Sequence, residues 1–410
     1  MITRRIFVRN GALTAVGTAA IPLFLRRAAS AVEKPGMRTQ RLVVIFQRGA
    51  ADGLNIVVPH GEPAYYAMRP SINIPRSAVL DLDGFFGLHP SLAALQPIWE
   101  QKHLAIVHAA GSPDPTRSHF DAQDFMESGT PGVKATEDGW LNRSLRSLPS
   151  SNDAFRAVAM GPALPRILQG SEAAVAMNNI NDFGVGGRNP KSSALENTFE
   201  AMYGASVDAV LHGSAQETFD AVKMLHSADP AQYAPVAGAN YPRGRFGDSL
   251  KQLAQLIKAN LGVEIAFADI GGWDHHVNEG STEGQIANVL REFSQSLGAF
   301  WIDLGDLAED TVIVTMSEFG RTAQENGNRG TDHGHANVMF VFGGPVRGGK
   351  VYGRWPGLDP AQLYESRDLA LTTDFRTVLG EALYQHLGNK NLPQVFPGFT
   401  PPAQFLGLLG

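Results

Sequence analysis

Mostly apolar runs, each closed by glycines and charged residues, set the rhythm of this chain. Residues 42–46 (LVVIF), 104–109 (LAIVHA), 263–268 (VEIAFA), 311–316 (TVIVTM) and 338–342 (VMFVF) have the length and β-branched content of buried strands. Helical patterns fall between them. Residues 89–101 read as a helix with Pro90 suited to its first turn, another helix starts near Ser118, and a third covers 246–261. In a longer segment Ile286, Val289, Leu290, Phe293, Leu297, Phe300, Trp301, Leu304 and Leu307 recur at three- and four-residue steps, so its aromatics read as core. Thr372-Thr373-Asp374 opens one more helix near the end. Strand, helix and strand at short spacing predict an α/β fold on a mostly parallel central sheet. Residues 170–240 break the rhythm. They are rich in Asn, Gly and Pro around 178–189 and helical near 194–226, and they predict a helical or irregular insertion capping the sheet.

The first 31 residues stand apart from this pattern. Arg4 and Arg5 begin a segment resembling a twin-arginine export signal, followed by a weakly apolar run (11–25) and the small-residue site Ala29-Ser30-Ala31. That run is too short and too rich in Gly, Ala and Thr to predict a stable membrane span. The expectation is a periplasmic or secreted protein, delivered by the twin-arginine machinery, with one mature domain over residues 32–410. The whole chain carries 34 Lys and Arg against 40 Asp and Glu. The leader holds five arginines and no acid, so the mature part has a formal charge of −11. Such a surface repels nucleic acid. Cysteine is absent, which leaves His, Asp and Glu as the ligands for any metal.

Candidate chemistry gathers where apparent strands end, at 47–55, 111–121, 271–279 and 317–335, and such ends lie along one edge of a parallel sheet. Asp52, Asp274, His276, His333 and His335 supply the mixed carboxylate and imidazole ligands that zinc or manganese takes when thiolates are missing. Asp274 and His276 are two residues apart and share a side of an extended chain; His275 then is a neighbour of the ligand group or exposed. His333 and His335 repeat that spacing, with Asp332 as a further ligand or as a partner orienting one of them. Glu318 reads as a ligand or base and Arg321 as a clamp on an anionic oxygen; the alternative is an internal ion pair between them. Ser118 fits the S-x-x-D capping pattern with Asp121, and nucleophile status is the competing role, with Thr116 and His119 as rivals in the same loop.

Taken together, RGAADGLN (48–55), LHPSL (88–92), RSHFDAQ (117–123), GGWDHH (271–276), SEFGRT (317–322) and GTDHGHAN (330–337) resemble the secreted domain-of-unknown-function family 1501. That family in turn resembles the alkaline phosphatase and sulfatase superfamily. The resemblance implies a three-layer sandwich and a metal-dependent hydrolase of phosphate or sulfate esters, on an anionic small-molecule or glycan substrate. It places Asp52 as the first-strand ligand, Asp274 with His276 as the middle group, and His333 or His335 as the late histidine. Arg321 or Arg48 would steady charge on the transferred group. Zinc is the first candidate ion, with manganese, calcium and magnesium behind it. The superfamily's Asp-His pair after the strand at 311–316 is here Ser317-Glu318-Phe319, which points to a single ion or an altered pair. The rival reading is a non-catalytic periplasmic binding or assembly protein on the same fold. A third option, an exported oxidoreductase, finds neither cysteine ligands nor a dinucleotide fingerprint in this chain.

Overall fold

Each apolar run falls on a strand, the one at 263–268 shifted two residues on to Ile265–Ile270, because a sheet interior buries both faces of such a segment and still pairs its backbone. The structure, a computed structural model, describes residues 39–149, 153–180 and 233–410. The export signal expected over residues 1–31 and the helix expected near 194–226 lie outside the described residues. In chain order the strands are β1 (Arg41–Gln47), β2 (Val57–Val58), β3 (Leu80–Asp81), β4 (Gly87–Leu88), β5 (Leu104–Gly111), β6 (Ala157–Met160), β7 (Val175–Met177), β8 (Ile265–Ile270), β9 (Thr311–Ser317), β10 (Asn337–Gly343), β11 (Lys350–Tyr352) and β12 (Thr373–Asp374). The main sheet runs β11-β5-β10-β9-β1-β8-β6-β7, with β12 beside β5, while β2, β4 and β3 make a small separate sheet.

Direction matters more than order here. Only β10 opposes its neighbours β5 and β9; the other pairings in the main sheet are parallel. In register, Gln47 of β1 pairs with Ile270 of β8 and with Ser317 of β9, so three strands finish level. Asn337, at the start of the reversed β10, pairs with Ala110 near the end of β5. Chain leaving β1, β5, β8 and β9 and chain entering β10 therefore meet at one edge.

Alternate residues of β1 face two cores. Val43 and Ile45 pack with Leu250, Leu253, Leu290, Phe293 and Leu297 from the helices Arg245–Lys258 and Gln285–Leu304. Leu42, Val44 and Phe46 pack with Trp140, Leu141, Phe375 and Leu379 from Trp140–Ser147 and Phe375–Glu381. The result is a mixed α/β fold with helices on both sheet faces.

Three expectations need correcting. The stretch 89–101 is not one helix but a 3-10 segment (Pro90–Leu95) followed by a short α-helix (Gln96–Glu100), since Pro97 has no N–H with which to continue a ladder. The long helix stops at Leu304, and Leu307 belongs to the 3-10 turn Gly305–Asp310. Residues 175–177 form the edge strand β7, so any insertion within 170–240 begins beyond them. Among the described residues no helix is long and apolar enough to cross a membrane.

Candidate metal centre

Three local devices aim side chains at the common edge. After β8, Trp273 is buried; its indole N–H donates to the carbonyl of Ile270 (3.0 Å) and its ring lies edge-on to Phe293 (5.7 Å), which fixes where Asp274 emerges. After β5, Ser118 caps the helix His119–Ser128 by accepting from the backbone N–H of Asp121 (3.5 Å), so His119 is the first helical residue. Between β9 and β10 two glycine backbones touch: Gly320 N donates to His335 O and Gly334 N to Gly320 O, both at 2.8 Å. A Cβ on Gly320 would lie 1.9 Å from Ala336 O, and one on Gly334 would lie 2.3 Å from the carbonyl carbon of Arg321. No side chain fits at either position. This contact sets Arg321 opposite His333.

The result is a convergence of four residues from three loops. His333 Nε2 lies 3.0 Å from His119 Nε2, 3.0 Å from His276 Nε2 and 3.3 Å from Asp274 Oδ1. Asp274 Oδ1 is also 3.0 Å from His276 Nε2, and Asp274 Oδ2 is 3.4 Å from His119 Nε2. One ligand atom each from His119, Asp274 and His333 falls within 4.8 Å of the others, with His276 adjoining them.

Each imidazole has its other nitrogen facing an acceptor. His119 Nδ1–H donates to Glu318 Oε1 (2.8 Å), His276 Nδ1–H to Asp332 Oδ1 (3.1 Å), and His333 Nδ1–H to the carbonyl of Arg117 (2.8 Å). A neutral imidazole that donates from Nδ1 keeps a lone pair on Nε2. Three lone pairs then face one another across about 3 Å beside a carboxylate, an arrangement that repels itself unless a cation or protons intervene. Donors bound to zinc at 2.0–2.1 Å in a tetrahedron sit about 3.3 Å apart, so these separations suit a divalent ion. Hydrogen bonds from imidazole to carboxylate or carbonyl are also the usual support for metal-ligating histidines. The residues present fit the group.

The charges are arranged to match. Burial opposes ionisation of Asp274, yet the hydrogen bond and charge of Arg321, with His276 and His119 adding to them, hold its carboxyl below the usual range. Glu318 is buried and is likewise held low: His119 and Gln123 donate to it at 2.8 Å, Gly49 N at 2.9 Å and Ser317 Oγ at 3.0 Å. The Glu318 contact raises the pKa of His119 against the pull of burial. Burial lowers that of His333.

Several candidates stand elsewhere. Asp52 does not join the cluster: it is buried, and Arg69 engages both its oxygens, Oδ1 from Nη2 at 2.9 Å and Oδ2 from Nη1. His335 points away and stacks on Tyr364 with ring centroids 4.5 Å apart. Asp332 sits behind His276, accepting from it and from Asn326 (3.2 Å). Glu318 sits behind His119 with its oxygens saturated, so neither a ligand nor a base role fits it. Arg321 is fully buried and is spent on Asp274 (2.6 Å) and Thr331 Oγ1 (3.0 Å), which removes it as a substrate clamp. Nor do Glu318 and Arg321 form the internal pair that was the alternative. Arg48 is tied to Asp269 (2.7 Å) and Glu127 (2.8 Å). Ser118 acts as the helix cap, and His275 is buried instead of exposed. Gln123, Thr331, Arg69 and Glu279 complete the surroundings without having been singled out from the sequence. A polar residue deep in an α/β chain has no local spacing that marks it.

A family model described as "Protein of unknown function (DUF1501)" matches residues 86–391. No curated protein matches the sequence. Among solved structures, the chain is similar to the PsFucS1 sulfatase from Pseudoalteromonas sp., at 14% identity and a TM-score of 0.41, over 95% of this chain and 76% of that one. It is also similar to the C-terminal periplasmic domain of EcEptC from Escherichia coli in complex with Zn, at 9% identity and a TM-score of 0.36, over 76% and 74% of the two chains. For the phosphonate monoester hydrolase of Agrobacterium radiobacter the identity is 11% and the TM-score 0.35, over 89% and 78%.

Proposed function

The chain belongs to the DUF1501 family, and from that premise we propose that it is an exported hydrolase-like protein built around one divalent ion, acting on phosphate or sulfate esters. The observation that carries this reading is the set of three imidazoles whose Nδ1 atoms are all engaged, which leaves His119, His276 and His333 Nε2 aimed at Asp274 and at one another. Those four residues would hold the ion. Three imidazoles and one carboxylate favour zinc and disfavour calcium and magnesium, which take oxygen ligands. A single ion is favoured because Asp52 is neutralised by Arg69 and Glu318 by four protein donors, so neither carboxylate is left for a second cation.

When bound, such an ion supplies Lewis-acid polarisation of an ester oxygen. The protein's own residues do the rest. Glu318, Asp332 and the Arg117 carbonyl fix the tautomer and tilt of the three rings. Arg321 holds Asp274 ionised and oriented. Glu318→Gln is expected to weaken zinc binding by about 10–100-fold, the range for losing such an outer hydrogen bond. A competition titration against a chromophoric chelator reads it, and an unchanged affinity would remove the orienting role.

A second reading shares the ion but not the turnover. Glu318, Arg321 and Arg48 are all consumed by internal bonds, which supports a metal-stabilised binding or assembly protein. Elemental analysis of the purified mature protein, followed by a panel of phosphate and sulfate esters, separates the cases. About one zinc per chain with turnover supports the hydrolase; one zinc without turnover on any ester supports the second reading; no bound ion sinks both.

A further inference from the structure

A hydrogen-bonded chain runs from the buried interior to the cluster. At its inner end Arg69, wholly buried, grips Asp52, and Glu279, also wholly buried, is hydrogen-bonded to the same carboxylate. Thr331 Oγ1 donates to Glu279 Oε2 at 2.9 Å. Arg321 Nε donates to that same threonine oxygen at 3.0 Å, and its Nη2 donates to the Thr331 carbonyl. Arg321 Nη1 then reaches Asp274 Oδ1 at 2.6 Å. The backbone N–H of Thr331 is bound to His275 O (3.0 Å), one residue beyond Asp274, so the same threonine also fixes the strand of chain that carries the carboxylate.

We infer that Thr331 and Glu279 are positioning residues for Asp274, acting through Arg321 to fix the direction in which the carboxylate presents its oxygens to the ion. This rests on the single-ion reading above and goes beyond it by naming residues that touch neither ion nor substrate. Arg321 gives to Thr331 and Thr331 gives to Glu279, while at the inner end Asp52 accepts from Arg69. Arg321 is long and has five donors in a fixed fork, so without Thr331 its Nε has no acceptor and the fork can rotate away from Asp274. A buried guanidinium does not tolerate that loss passively.

The test uses the full mature chain, stripped with a chelator and titrated with zinc against a competing indicator. Thr331→Val keeps the shape and removes the hydroxyl. It is expected to raise the zinc Kd about 10–100-fold, whereas Thr331→Ser should stay within about threefold of the parent. In cobalt-substituted protein the visible ligand-field bands should shift in Thr331→Val and not in Thr331→Ser, a readout that a change in stability alone would not move. Should Thr331→Val fail to fold, Thr331→Ala carries the same comparison. A folded Val or Ala variant with parental zinc affinity and an unmoved cobalt spectrum overturns the inference. A parent protein that takes up no ion overturns the single-ion reading instead, so the two failures are distinct.

Discussion

His333→Ala is expected to empty the site, while His335→Ala, two residues away, leaves ion content unchanged. His333 Nε2 touches all three of the other donors, at 3.0, 3.0 and 3.3 Å. His335 instead lies flat on Tyr364. Four-ligand zinc sites bind with roughly 10–16 kcal/mol, so losing one ligand of four costs on the order of a quarter of that, about two to three decades in Kd. The expected measurement is close to one zinc per parent chain by elemental analysis, and well under a tenth after dialysis of His333→Ala against a weak chelator. Equal zinc in the two alanine variants, or loss in His335→Ala alone, would dismantle the proposed centre. Asp274→Ala should follow His333→Ala and leave Arg321 buried without its carboxylate, so its apoprotein is also expected to melt earlier.

The second large effect concerns stability. Asp52→Ala leaves the buried Arg69 unpaired, and breaking a buried pair from one side costs about 3–5 kcal/mol. Denaturant unfolding of the apoprotein should show that loss. Zinc stoichiometry should nevertheless survive in the fraction that folds, because Asp52 is not among the converging donors. Retained stability together with lost zinc would invert the assignment and make Asp52 a ligand after all.

The same buried group gives stability its pH dependence. Burial opposes ionisation of Asp52, but the Arg69 charge and hydrogen bonds outweigh it and hold its folded pKa below the unfolded value. Its contribution is therefore present above about pH 3.9 and lost as pH falls through the lower folded value. Glu279 runs the other way. Burial, and then the Asp52 charge beside it, push its carboxyl well above the ordinary value. Its contribution is complete below about pH 4.3 and declines as pH rises through the folded value. Glu279→Gln mimics the protonated acid, with an amide N–H for Asp52 and a carbonyl for Thr331. It should be more stable than the parent at neutral pH and show a flatter profile above pH 4.3. A parental slope there would mean that Glu279 ionises freely in the fold.

The sequence by itself determined the α/β class, the five long strands β1, β5, β8, β9 and β10, and the loops that carry chemistry. Those are local properties: an apolar run of β-branched residues buries only in a sheet, and glycine with charge marks where the chain turns out of it. It also placed Asp274, His276 and His333 among the ligand candidates through two-residue spacing. It left His333 and His335 open, because alternation says which residues share a side and not which side faces the cluster. The tertiary structure made that choice, through the contact of Gly320 with Gly334 that turns His333 inward. It also moved Asp52 out of the cluster, because Arg69 reaches it from 17 residues along the chain and nothing in either neighbourhood signals the pairing. Glu318 and Arg321 became supports for the same reason. Whether a charged side chain meets substrate or another buried charge is decided by what packs behind it, and that neighbour comes from another element of the fold.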